Sequence, residues 1–149
     1  MPWSTLVATA VGTVLGVLAT LMADHVRWRR DRSERERDTL RAAFTEYLTA
    51  LSAARDAFSR TEPSPEAVGK GHVALGEHGV YAAQHQLELV TRRTLVDKAG
   101  RATLAVLDFH DAVVAGHASG SPEYVSAWRT ARRTRAALIA EMRKVLRYG

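Results

Sequence analysis

Six histidines and a scatter of carboxylates are the residues with the most chemistry to offer in this 149-residue chain. His78 and His85 stand seven apart, two turns along one helical face, and His85 with Glu88 forms an i,i+3 pair. Asp108, Asp111 and Glu46 are the carboxylates that neighbouring helices could bring to them. Helical di-metal centres place carboxylates on every helix and a Glu-x-x-His motif on two, because that spacing aims both ligands inward. No Glu-x-x-His occurs here, and with no cysteine there is neither a thiolate ligand nor a disulfide. The histidines are therefore expected in solvent or at an interface, with no metal and no cofactor.

Nucleophilic and phosphate chemistry has no anchor either. The chain lacks Gly-x-Ser-x-Gly, Gly-x-Gly-x-x-Gly and Gly-x-x-x-x-Gly-Lys. Its glycine-richest stretch, Gly69, Lys70 and Gly71, has neither the spacing nor a preceding strand for a phosphate loop. The reading is a non-enzymatic protein.

Charge is the remaining chemistry. The formal net charge is +5. From residue 122 onward seven basic residues face only Glu123 and Glu141, an excess equal to that of the whole chain. Arg129, Arg132, Arg133 and Arg143 form a candidate basic contact face on the last helix. Such a face suits anionic lipid headgroups or an acidic protein. Nucleic acid is the poorer partner, because no base-reading motif accompanies the charge.

The elements that carry these residues begin with an uncharged stretch, residues 2–23. About 20 apolar residues in a helix cross a hydrocarbon core of about 30 Å. Trp3 and Trp28 bracket the run, as amphipathic rings do at two membrane interfaces. A cleaved signal peptide needs positive charge before the run, and here the first charge is Asp24. The stretch is read as a transmembrane anchor over residues 1–23. Arginines 27, 29, 30, 32, 35 and 37 follow it and none precedes it, so the N-terminus is placed outside and the C-terminal domain in the cytoplasm. Ala8, Gly12, Gly16 and Thr20 make one small face, a GxxxG surface where two such helices could pair.

Residues 24–39 carry almost no apolar side chain, and opposite charges recur at i,i+4 (Arg30/Glu34, Asp31/Arg35, Arg32/Glu36). This is a solvated helical stalk. From Leu40 the pattern changes: Leu40, Phe44, Tyr47, Leu51, Ala54 and Phe58 form an a/d seam over nearly three heptads. It can be a core seam within one chain or a coiled coil between chains. Pro63 and Pro65 stop that helix, and Ser64 before Pro65 reads as a cap opening a glycine-rich second helix whose firm part is residues 80–89. A third helix carries Leu95, Ala99, Ala102, Val106, Phe109 and Val113 and stops near Gly116. Ser121 and Pro122 open a fourth, with stripe Tyr124, Trp128, Ala131, Arg135, Leu138, Met142 and Val145. The fold class expected is all-α: the transmembrane helix continuing into an antiparallel, up-down four-helix bundle over residues 40–149.

The order of parts resembles a class of small, uncharacterised actinobacterial single-pass membrane proteins with a cytoplasmic helical domain. The residues that carry it are Trp28 to Arg32 and the Tyr47 to Leu51 segment. The resemblance implies no activity. An anchor followed by a charged helix is also similar to the b subunit of rotary ATP synthases, but the Pro63/Pro65 break departs from that long stalk. Together these features imply a membrane-anchored scaffold or adaptor that self-associates or docks a protein partner at the lipid bilayer. The alternative is a membrane-tethered ligand-sensing bundle with a pocket near the glycine-rich second helix.

Overall fold

The computed structural model describes the backbone of residues 2–148 and the side chains from Thr20 onward, except those of Ala23, Val26, Arg29 and Arg30. The described chain is all-α. Its elements are α1 (Pro2–Phe58), a 3₁₀ turn (Pro65–Ala67), α2 (Gly71–Glu77), α3 (Val80–Val90), α4 (Arg93–Val114) and α5 (Pro122–Tyr148), with no strand among the described residues.

By contacts the chain divides into two units, Met1–Asp38 and Thr39–Gly149. The first consists of α1 residues. Every side chain described there is exposed. Of the expected i,i+4 pairs, Arg32 and Glu36 meet at 3.3 Å, and the Arg32 guanidinium lies 5.6 Å from the Trp28 ring. Both partners of the pair are two-thirds exposed, so it contributes a few tenths of a kcal/mol, ~0.3, to helix stability. The small face expected at Ala8, Gly12 and Gly16 lies outside the described side chains, and Thr20 at its end is exposed. Among the described residues no helix is long and apolar enough to cross a membrane.

The second unit holds the core. Spacings of three and four on α1 bring Phe44, Tyr47, Leu51, Ala54 and Phe58 to one face, and all five are buried; Leu40, at the edge, is half-buried. The six apolar positions expected on the third helix are all buried on α4. That helix buries ten residues, Leu95 through Val114, whereas α5 buries only Ala131, Leu138 and Met142. At 100° per residue the α4 set covers about 180° of the helix, so α4 has neighbours on more than one side. Hydrogen bonds and ring contacts show them: Tyr47 and Phe58 from α1, Gln84 from α3, Tyr124 from α5. Burying a Leu- or Phe-sized side chain contributes about 1.5–3 kcal/mol, and α4 buries more residues than any other helix among those described.

The glycine-rich segment differs from the expected second helix. Ser64 is extended and precedes Pro65, but it opens only the 3₁₀ turn and makes no side-chain cap. Val68 follows that turn and is exposed. Helix resumes as α2 and breaks again at Gly79, whose φ of +72° is left-handed. The Gly79 N–H bonds to Gly76 O at 2.9 Å, closing α2, and the Gly79 carbonyl accepts from Ala83 N at 3.0 Å, opening α3. One glycine thus ends one helix and starts the next. The stop near Gly116 is built the same way: Gly116 N bonds to Val113 O at 3.0 Å and His117 N reaches Ala112 O at 3.3 Å, with Gly116 at φ +86°. Ser121 Oγ accepts from Tyr124 N at 3.2 Å, capping α5 just ahead of Pro122.

Candidate functional site

The residues considered for metal chemistry are dispersed. His85 Nδ1 meets Glu88 Oε2 at 3.3 Å on an exposed face of α3. Glu46 instead accepts from Gln86 Nε2 at 3.4 Å, and His78 caps the end of α2. Asp111 pairs with the neighbouring His110, whose Nδ1 donates to Asp111 Oδ1 at 3.0 Å. Among the described residues no three His, Asp or Glu side chains come together as a metal could use them.

His110 and Asp111 do something else. Asp111 Oδ1 also accepts the Gly69 N–H at 3.0 Å, and Ser64 N bonds to Val114 O at 2.8 Å. These bonds tie the proline-rich connection to the end of α4. The His110 ring stands edge-on to Phe58 with centroids 4.6 Å apart. It also fills the space beside Gly71, where an added Cβ would meet Nδ1 at 2.7 Å. The glycine-rich segment therefore packs at Gly71 against the buried His110 ring.

A second polar group lies deep in the core. Tyr47 Oη donates to Ala99 O at 2.7 Å and lies 2.7 Å from Thr103 Oγ1, which is 3.1 Å from the Gln84 side-chain amide. Thr103 donates to Gln84 Oε1, and the single Tyr47 proton stands within hydrogen-bond distance of both Ala99 O and Thr103 Oγ1. The chain runs Gln84 to Thr103 to Tyr47 to Ala99, joining α3, α4 and α1. Burial pushes the Tyr47 hydroxyl up to about 12 from its ordinary 10.0, with the Thr103 hydrogen bond pulling slightly the other way. It is a structural clamp, buried at Tyr47 and Thr103 and reaching the half-buried Gln84 at one end.

The surface with unspent chemistry is on α5. Arg129, Arg132, Arg133 and Arg143, the expected basic face, are all exposed. Lysines nearby are engaged: Lys98 Nζ donates to Glu141 Oε2 at 2.6 Å and Lys144 Nζ lies 3.9 Å from the same oxygen. The Lys98 hydrogen bond, ahead of the charges of Lys98 and Lys144, holds the Glu141 carboxyl below its usual range. Among the described residues no carboxylate pairs with Arg132, Arg135 or Arg143. Arg132 instead lies over Trp128, 4.6 Å from its ring centroid, and that tryptophan is 37% exposed rather than buried as its place on the stripe suggested.

Between α1 and α5 these residues border an open cleft of about 290 Å³. Its lining is Arg55, Arg132, Arg135 and Arg143 around Ala136, Ile139 and Ala140. Arg55 is held by Asp56, with Nη2 to Oδ1 at 2.6 Å. Arg135 is half-buried and its Nε atom is buried without an acceptor. Arg135 stands at a position expected on the apolar stripe, whereas Arg55 is not among the residues expected at a site. The signal available was that an arginine at a stripe position needs an acceptor, and none lies within helical reach on α5. Of the other sequence-derived sites, the Leu40–Phe58 seam is buried within the chain, with Leu40 at its edge, and Ala8, Gly12 and Gly16 lie outside the described side chains.

No family model, curated protein or solved structure matches this chain.

Proposed function

We propose that this protein is a non-enzymatic, membrane-anchored helical adaptor that self-associates or docks a protein partner at the cytoplasmic face of the membrane. The observation that carries the docking part is the unpaired arginine surface of α5. Charges concentrated on one helix with no counter-ion of their own favour association with an acidic surface, in rate and in choice of partner. The anchor over residues 1–23, with arginines only on its C-terminal side, supports the tethering and the orientation. In this reading the α1 seam, α2 with α3, α4 and α5 run as an antiparallel up-down bundle, which the short links at residues 91–92 and 115–121 favour. Tethering raises the local concentration of whatever docks, a gain that needs no chemistry.

The test is the mass and composition of the complex extracted from native membranes in mild detergent. A stoichiometric second protein, or a homo-oligomer, supports the reading. Recovery in the soluble fraction, or as a monomer with nothing attached, refutes it.

A further inference from the structure

We infer that the α1–α5 cleft is the docking groove for an acidic amphipathic helix of a partner protein. This rests on the adaptor reading and names the surface and the chemistry of its partner.

The first argument is charge. Four guanidiniums line the cleft, and among the described residues a single carboxylate, Asp56, engages one of them. The second is the Arg135 Nε–H, which is buried with no acceptor. A buried donor left unmade is costly, and a carboxylate entering the cleft gives the guanidinium the partner it lacks after a small side-chain rotation. The third is the apolar lining. Ala136, Ile139 and Ala140 put apolar surface among the guanidiniums along the cleft. Apolar surface interleaved with basic groups suits an amphipathic helix laid along it.

Length selects the occupant. Arg132 and Arg143 are eleven residues apart on α5, about 16 Å along its axis. A single phosphate or carboxylate ligand reaches one end only. A helix of about three turns, with acids three and four residues apart, meets both ends and covers the apolar lining. A lipid surface is less suited. At 100° per residue Arg129, Arg133 and Arg147 point directly away from the buried Ala131, Leu138 and Met142, and a flat anionic sheet meets those crests first. Arg132, Arg135 and Arg143 lie on the flank turned toward α1.

The experiment uses the full chain in non-ionic detergent at near-physiological salt. The probe is a fluorescent helical peptide of about 16 residues, with glutamates and leucines along one face. A second peptide has every glutamate replaced by glutamine. The expected result is saturable binding of the acidic peptide and at least tenfold weaker binding of the neutral one. Arg132→Glu with Arg143→Glu raises the Kd tenfold or more, and the milder Gln pair raises it by a smaller factor. Arg93→Glu with Arg101→Glu, the same charge change on exposed residues of α4, changes it less than twofold. Unchanged circular dichroism of the cleft variants confirms that folding is not the cause. Equal weakening by the α4 pair means that only net charge is felt, and it overturns the proposal. So does stronger weakening by Arg129→Glu with Arg133→Glu than by the cleft pair. Displacement of the peptide by short-chain phosphatidylglycerol, but not phosphatidylcholine, assigns the cleft to lipid instead. Any of these failures leaves the adaptor reading to be judged separately by the composition of the native complex.

Discussion

Tyr47 provides the sharpest test of how the core is held. Replacing it with Phe removes one hydroxyl and keeps the ring. Thr103 and Ala99 O each lose a hydrogen-bond partner, and the position of the lost hydroxyl is fully buried. At neutral pH the cost is about 1–2 kcal/mol. The pH dependence is more distinctive. In the unfolded chain tyrosine ionises near pH 10, whereas burial raises the folded value to about 12. Between these values the unfolded state gives up its proton and the folded state keeps it, so stability falls as pH rises. At pH 11 the loss amounts to about 1.4 kcal/mol, half of the total that a two-unit gap implies. The Phe variant has no such dependence at this site. Urea unfolding followed by circular dichroism at pH 8 and pH 11 reads both numbers, and other ionising groups cancel in the difference. Wild type and variant should differ by about 1–2 kcal/mol at pH 8 and nearly coincide at pH 11. A gap that stays constant to pH 11 refutes the buried, protonated hydroxyl.

Two glycines should respond in opposite directions to alanine. Gly71→Ala drives a Cβ to 2.7 Å from His110 Nδ1 and should lower stability by about 1–3 kcal/mol, whereas Gly100→Ala, with nothing within 4 Å, should raise it by up to about 1 kcal/mol; thermal melts compare them. Glu141 is held ionised by Lys98, so its contribution is present above the ordinary carboxylate range and is lost as pH falls through its lowered value. Glu141→Gln should therefore be less stable than wild type at pH 6 and show a smaller difference at pH 3, measured by melting temperature. In a membrane two-hybrid assay, Gly16→Ile should weaken self-association, and an unchanged signal rejects the GxxxG face.

The legible parts of the chain are those governed by local rules. Leu95 to Val113 recur at three and four, and each is buried on α4. Pro63, Gly116 and Ser121 with Pro122 mark helix ends through backbone geometry alone. Gly79 was harder to read, because a segment with four glycines between 69 and 79 offers several places for a left-handed break and only tertiary packing selects one. Thr103 and His110 were not legible as core residues. Their partners, Tyr47 and Phe58, lie more than fifty residues away in sequence, and a polar side chain reads as exposed until its partner is known. The α5 cleft was half visible: its arginines are evident in sequence, but the wall supplied by Arg55 depends on how α1 and α5 pack.

The dependence of every other helix on α4 also sets a clock on synthesis. The bond between Tyr47 and Thr103 spans 56 residues. At a translation rate of about 5–20 residues per second, roughly 3–11 s separate the emergence of the first aromatic seam from that of the helix that covers it. During that interval Phe44, Tyr47, Leu51 and Phe58 leave the ribosome as an uncovered apolar stripe. Nascent-chain binders have their opening then, and a rare-codon pause before residue 93 would prolong it.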